Sequence, residues 1–383
     1  MSFKYPLFKV NFEEDDKSTL EGILESGWIS PGVYTNKLEE LFSESFVPGY
    51  ASMTTSSCTT SLALSIHLMG IKKGDEVLVA GVNFIAVVNA IMNVGAIPIF
   101  VDCISEYNPN ICPVDLKKKY TKKTKAVIIV HFAGYTSNYT SDIKDFCNSK
   151  KIYLLEDVAH APLARFQDGA LAGSIGDFSC FSFFSNKNIP AGEGGMLCSA
   201  DCDLIERAKK LKSHGMSVQT QDRYKKSALL YDVIESGFNY RMPELSCGIA
   251  FSQAKKYLQK GLSKRRELIS KYRQSLEEIN IKLIFDQSSD EYAAPHIAVC
   301  LLPEGVDKSF VQDKLNEIKI QTSMHYPNFK SFSATKNLMS SYDLENCSNY
   351  VSRCITLPFY ESLTYENIDD ISSSISGIID KIR

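Results

Sequence analysis

The chain has 383 residues, of which 44% are hydrophobic and 23% charged, with a formal net charge of −3. That length is too great for one small core and fits a large domain with a smaller one, and the near-neutral balance gives no electrostatic case for nucleic acid or an acidic membrane surface. No apolar run reaches the ~20 residues of a membrane span, and Met1-Ser-Phe-Lys-Tyr-Pro6 has no signal-peptide pattern, so a cytoplasmic protein is expected.

From about residue 50 to 215, apolar strand-like runs alternate with helical patterns. Thr54-Thr-Ser-Ser-Cys-Thr-Thr-Ser61 is dense in hydroxyls and opens a helical run over 62–69. Residues 75–80 predict a strand and 85–95 a helix closing on Gly95. Five more strands are predicted over 96–102, 125–131, 152–157, 178–184 and 195–199. Such near-continuous apolar runs fit a largely parallel sheet with helices on both faces, whose ligands gather at the carboxyl ends of the strands. Asp102, His131, Asp157 and the turn over 185–188 lie at such ends.

Residues 243–279 predict a long connecting helix. Beyond it, strands over 296–302 and 320–325 flank a helix over 308–318, and a final amphipathic helix runs over 365–382. The expected division is a large domain over 1–245, including the N-terminal segment, then the connecting helix and a small α+β domain over 246–383. The 11 Cys are scattered. Several fall inside apolar runs (Cys180, Cys198, Cys300), as reduced buried thiols do, and no paired Cys-x-x-Cys spacing points to a metal.

Lys187 follows the aromatic run Phe181-Ser-Phe-Phe184 and precedes Asn188-Ile-Pro190. A lone lysine is ordinarily a solvated surface residue. These flanks favour burial, where desolvation lowers the amine pKa and leaves a neutral nucleophile toward a carbonyl. Pyridoxal phosphate needs such an amine for its internal Schiff base. Asp157 ends another predicted strand. It can cap a helix, or pair with a pyridine nitrogen so that the ring takes up the electrons of a carbanion.

His160, three residues on, is either a structural histidine or a partner for the cofactor's phenolic oxygen. Thr59 and Thr60 stand at a helix start, as an N-cap alone or as part of a phosphate site that uses the N–H groups and dipole there. Phe84 is a core residue or a ring stacked on the pyridine. Ala191-Gly-Glu-Gly-Gly195 lacks the Gly-x-Gly-x-x-Gly spacing and precedes a strand, so it is not a dinucleotide fingerprint.

Taken together, Glu156-Asp-Val-Ala-His160, Gly173-Ser-Ile-Gly-Asp177, Phe181-Ser-Phe-Phe-Ser-Asn-Lys187, Gly192-Glu-Gly-Gly195 and Gly237-Phe-Asn-Tyr-Arg-Met242 resemble the nucleotide-sugar aminotransferases, the DegT/StrS-type branch of fold-type-I pyridoxal phosphate enzymes. The resemblance runs from about Gly27-Trp-Ile-Ser-Pro-Gly32 to the small domain. It implies a large, mostly parallel αβα sandwich with a small α+β C-terminal domain. It makes Lys187 the Schiff-base lysine and general acid/base, with Asp157 on the pyridine nitrogen. Phe84 stacks on the ring, His160 neighbours the phenolic oxygen, and Thr59, Thr60 and Ser182 bind the phosphate.

The resemblance also sends Asn239 to the cofactor phosphate of a second subunit, which implies a homodimer with shared active sites. It puts Trp28, Ile29, Ser30, His325 and Tyr326 near the sugar. Cys58 departs from the glycine the family often has there.

The activity so implied is transfer of an amino group from glutamate, which leaves as 2-oxoglutarate, through pyridoxamine 5′-phosphate to a nucleotide-linked keto sugar. Such amino sugars enter surface polysaccharides, including lipopolysaccharide O-antigen, other glycans and antibiotics. A sub-branch with His in place of the lysine dehydrates its sugar, and Lys187 argues against it. An acceptor such as a keto-octulosonate is an alternative, and so is a cofactor-binding regulator without turnover. A nicotinamide enzyme on a Rossmann-type sheet lacks its glycine fingerprint here. The sequence leaves open which nucleotide is carried and whether C3 or C4 is aminated.

Overall fold

The computed structural model describes residues 3–217, 231–339 and 342–381. Its main sheet has seven strands: β1 (Ala51–Thr55), β2 (Glu76–Ala80), β3 (Ile97–Val101), β6 (Thr124–Val130), β7 (Tyr153–Asp157), β8 (Phe178–Ser182) and β9 (Gly195–Ser199). Their order is β1-β9-β8-β7-β6-β2-β3. From β8 to β3 every pairing is parallel, while β9 runs antiparallel to both its neighbours. A two-stranded ribbon, β4 (Cys103–Ser105) with β5 (Asn108–Ile111), follows β3.

Strand residues alternate between faces, and the core divides accordingly. Val77, Val79, Ala126, Ile128 and Leu155 pack with the helices Cys58–Leu68 and Ile85–Asn93. Leu78, Ala80, Val127, Ile129 and Leu154 pack with Leu116, Ile143 and Cys147 from the helices Pro113–Lys119 and Thr140–Lys150. The expected mostly parallel sheet with helices on both faces is therefore present.

The helix expected over 243–279 is three consecutive pieces: Glu244–Lys256, a π-helical turn Tyr257–Gly261, and Leu262–Glu277. The last of these packs with an antiparallel sheet of β10 (Lys282–Leu283), β11 (Ala298–Leu301) and β12 (Cys354–Leu357). The final helix, Tyr365–Ile379, presents Ile368, Ile371, Ile375 and Ile379 to the same core at helical spacing.

Two sequence expectations fail. Residues 320–325 form no strand; Ile320 bridges Tyr5 and Ser323 bridges Thr356 as isolated contacts. The hydroxyl-rich run is not all a helix start, because Thr54 and Thr55 belong to β1. The reason is local satisfaction. Thr54 donates from its N–H and its hydroxyl to Glu39 Oε1, both at 2.8 Å, and the Ser52 hydroxyl lies 3.3 Å from Cys198 Sγ on β9. Polar side chains can line a buried strand when partners wait for them.

Candidate active site

A cavity of about 360 Å³ opens at the carboxyl ends of β7 and β8, and Thr59, Phe84, Asp157, His160, Ser182, Lys187, His325 and Tyr326 line it. Lys187 sits in the loop after β8. Its backbone N–H donates to Phe184 O at 2.8 Å. Burial lowers the Lys187 amine to about 8, against an opposing pull from the Asp157 carboxylate and Cys58. Burial raises Asp157 above the ordinary carboxylate value, while the Ala159 N–H and Lys187 hold it back. The two groups thus oppose each other's desolvation across one space.

Glu156 and Asp157 are neighbours on β7 and point to opposite faces. Glu156 accepts from the N–H groups of Gly173, Ile175 and Gly176 at 2.9, 2.8 and 2.6 Å, and its Oε2 lies 2.8 Å from His131 Nε2. Burial pushes its pKa up, but His131 and the backbone donors outweigh that and hold it below the ordinary value. Gly176 is required in this loop, since a Cβ there would meet Phe178 O at 2.9 Å and Leu154 O at 3.0 Å. Glu156 therefore fixes the loop leading into β8. Asp157 accepts one backbone hydrogen bond, from Ala159 at 3.0 Å, and faces the cavity.

His160 Nδ1 accepts from the Ala133 N–H at 3.3 Å, and its Nε2 lies 2.9 Å from Tyr326 Oη. Burial, Lys187 and His325 push the ring's pKa well below 6.5, so it is neutral. With Nδ1 accepting, the single proton sits on Nε2 and goes to Tyr326. The Tyr326 hydroxyl then has its own proton to give elsewhere. His325 is neutral as well: burial, then Lys187, lowers it to about 3, and its Nδ1 lies 2.9 Å from Thr356 Oγ1. The Phe84 ring is 51% exposed and stands 5.5 Å from the Tyr326 ring, an unusual position for a core phenylalanine.

The helix Cys58–Leu68 points its N-terminus at the cavity. Ser57 and Thr60 form a capping box: the Thr60 N–H donates to Ser57 Oγ at 3.2 Å and the Ser57 N–H to Thr60 Oγ1 at 3.1 Å. Thr60 is thus committed to the cap, while Thr59 is exposed and lines the cavity. Gly195 allows this arrangement, since a Cβ there would meet Cys58 N and Ser57 C at 2.5 Å. The Ser182 hydroxyl, at the end of β8, accepts from the Phe184 N–H at 3.3 Å.

Five candidates, Trp28, Ile29, Ser30, Thr60 and Asn239, lie outside the cavity lining of this single chain. Asn239 is exposed and bridges Ser213, and Ser30 is exposed. Trp28 donates from its indole to Pro31 O at 3.1 Å and packs where a Cβ on Gly32 would fall. The segment after Trp28 is pinned by Glu244, a residue the sequence reading passed over. Its carboxylate accepts from the N–H groups of Gly32 and Thr35 at 2.7 and 3.2 Å, at the start of the helix Val33–Leu41.

Sequence reasoning also missed Asn83, Asn186 and Glu193 as lining residues. Asn83 and Phe84 stand just after the β2 strand end, which was the available signal. Cys58, read only as a departure from a family pattern, lines the cavity too, and its thiol's pKa is raised by burial and Asp157. Elsewhere, Asp102, Cys103 and Cys347 cluster like metal ligands, but the Asp102 oxygens accept from the backbone N–H groups of Cys103, Asn346 and Cys347.

A lysine and a carboxylate at adjacent strand ends, a helix N-terminus and a mostly parallel sheet define the class of fold-type-I pyridoxal phosphate enzymes. The profile of the DegT/DnrJ/EryC1/StrS aminotransferase family matches residues 11–376, and the chain belongs to that family. The spore coat polysaccharide biosynthesis protein SpsC of Bacillus subtilis is 32% identical over 93% of this chain and 92% of its own length. The GDP-perosamine synthase of Escherichia coli O157:H7 is 31% identical over 97% of both. The aminotransferase TlmJ of Streptoalloteichus hindustanus superposes with a TM-score of 0.89, covering 100% of both chains at 24% identity. Among the described residues no helix is long and apolar enough to cross a membrane.

Proposed function

We propose that this aminotransferase transfers the amino group of glutamate to a nucleotide-linked keto sugar, as a cytoplasmic homodimer with shared active sites. One observation carries the reading: Lys187 and Asp157 line the same cavity and perturb each other's titration. The residues suit pyridoxal 5′-phosphate, the cofactor of this reading. A partly neutral amine, an opposed carboxylate, an exposed aromatic face and a helix N-terminus match its carbonyl, ring nitrogen, ring face and phosphate in turn. When bound, the cofactor supplies an electrophilic carbonyl and a ring that accepts the electrons left by proton removal.

The protein's own groups do the rest. At pH 7 an amine of pKa near 8 is roughly 10% neutral, about 300 times the fraction of an ordinary lysine. Lys187 would therefore take a proton from the donor's α-carbon and return one to the cofactor's carbonyl carbon, on the other side of the transferred nitrogen. Asp157 would pair with a positive partner at the pyridine end, which favours its charged form against the burial that raises it. Thr59, Ser182 and the first helical N–H groups bind phosphate, with Thr60 holding the cap that presents them. Phe84 covers the ring face, and the neutral His160 sits beside the phenolic oxygen.

Tyr326 keeps a hydroxyl proton for the acceptor sugar, with His325 behind it. Asn239 of a second copy reaches the phosphate, and Trp28 and Ser30 border the sugar. A role in surface polysaccharide synthesis and a GDP-linked acceptor are supported by the names of the relatives.

Borohydride treatment of the cofactor-loaded protein, followed by peptide mass analysis, is expected to label Lys187. Label on another residue, or none, overturns the assignment. A panel of nucleotide-linked 3-keto and 4-keto sugars with glutamate, read by mass, identifies the acceptor. Label on Lys187 without amine transfer from any donor would leave a cofactor-binding regulator.

A further inference from the structure

The side of Lys187 away from the cavity is held by a network the chemistry above does not use. Asn188, the next residue, is buried, and its Nδ2 donates to Tyr257 Oη at 3.0 Å and to Ala294 O at 3.2 Å. A backbone carbonyl only accepts, so this bond fixes which end of the carboxamide is nitrogen. Asn188 Oδ1 must then be the acceptor at 3.0 Å from His296 Nδ1, and His296 carries its proton on Nδ1. His296 is buried, its ring centroid is 4.4 Å from that of His160, and its Nε2 has no hydrogen-bond partner among the described residues.

The ring cannot drift. The Ala294 and His296 N–H groups donate to Gly134 O and Ala133 O, both at 2.9 Å. Gly134 admits this contact only because it lacks a Cβ, which would fall 2.1 Å from Ala294 O. Arg266 Nε donates to Ala293 O at 2.8 Å from the connecting helix.

We propose that Asn188 and His296 are positioning residues that lock the Lys187 turn and set where its amine stands in the cavity. A lysine side chain has four rotatable bonds, so its amine is placed only if its backbone is fixed. Phe184 O fixes the backbone on one side of Lys187, and the Asn188 carboxamide, held by three hydrogen bonds from distant segments, fixes it on the other. The single bond donated by His296 decides whether that carboxamide is fully satisfied.

This inference rests on Lys187 as the cofactor-bearing lysine, and borohydride labelling of the wild type tests that point separately. Three variants then test the lock: His296→Asn, His296→Gln and Asn188→Ala. Asparagine puts an N–H where Nδ1 stands, whereas glutamine puts its donor where Nε2 stands. Each full-length protein is loaded with pyridoxal phosphate, the pH midpoint of the cofactor's visible band is recorded, and kcat and KM for glutamate are measured.

The Asn variant is expected to keep the wild-type midpoint and a kcat within about threefold. His296→Gln and Asn188→Ala are expected to move the midpoint by about 1 pH unit and to lower kcat about 10–100-fold, with KM within about threefold. The proposal is overturned if His296→Asn and His296→Gln behave alike, whether both are active or both impaired, or if Asn188→Ala matches wild type. Label on Lys187 with such a result sinks the lock alone; no label on Lys187 sinks the aminotransferase reading instead.

Discussion

Strand β7 ends on two adjacent carboxylates in opposite surroundings. Glu156 collects three backbone N–H groups and His131, and Asp157 collects one N–H and faces Lys187. Burial raises both, yet only the partners of Glu156 outweigh it. A saturated carboxylate is fixed in position and charge and builds a loop. An undersatisfied one keeps lone pairs for a ligand. On the proposed reading the chemistry sits on the carboxylate with fewer partners, and the loop that shapes the site sits on the other.

Four substitutions and a pH profile test that contrast. Lys187→Ala should lower glutamate-dependent transamination by about 10⁴-fold or more while the protein stays folded by circular dichroism, because it removes the one lysine that lines the cavity among the described residues. Asp157→Asn should cost about 10²–10³-fold in kcat with unchanged or higher thermal stability, since it removes a buried charge with one protein donor. Glu156→Gln should do the reverse. Its amide nitrogen would face N–H donors, for a loss of about 2–4 kcal/mol in denaturant unfolding with near-normal kcat in the folded fraction. If both changes lost activity alike, the division of labour would be wrong.

Tyr326→Phe should be milder. It leaves the His160 Nε2–H without its acceptor, for about 1–2 kcal/mol in the sugar half-reaction or in stability. The smallest effect is titration. Burial lowers the Lys187 pKa to about 8, and on the proposed reading the neutral amine is the active form. The rate of the glutamate half-reaction in stopped flow should therefore fall about tenfold per pH unit below that value and level off above it.

Much of this site is legible in the sequence because it lies on strand ends. The runs before Asp157 and Lys187 are apolar enough to be read as buried strands, and period-two alternation alone separates Glu156 from Asp157. β1 was not legible, because its buried Ser and Thr side chains find partners on residues distant in sequence. His325 and Tyr326 sit in a segment held by isolated bridges, where no repeating pattern marks structure. The network behind Lys187 joins residues 133, 188, 257, 294 and 296, and contacts of that kind leave no periodic trace. Trp28, Ser30 and Asn239 lie away from the cavity of one chain, and the role assigned to Asn239 depends on a second copy.

The antiparallel course of β9 sets a limit on chain length. Ser182 and Gly195 are register partners, so residues 183–194 form a hairpin loop closed at its base. Phe183 N donates to Gly194 O at 2.9 Å, Ala191 N to Phe183 O at 2.8 Å, and Ser185 Oγ to Gly192 O at 3.2 Å. A ligand loop between a strand and a helix can lengthen by letting the helix slide. This one has no free end. A residue inserted into the buried stretch 188–191 would have to bulge toward the cavity or break the bonds at the base of the loop. Diversification of the substrate pocket is therefore expected at 28–32 and 325–326, with the lysine loop constant in length.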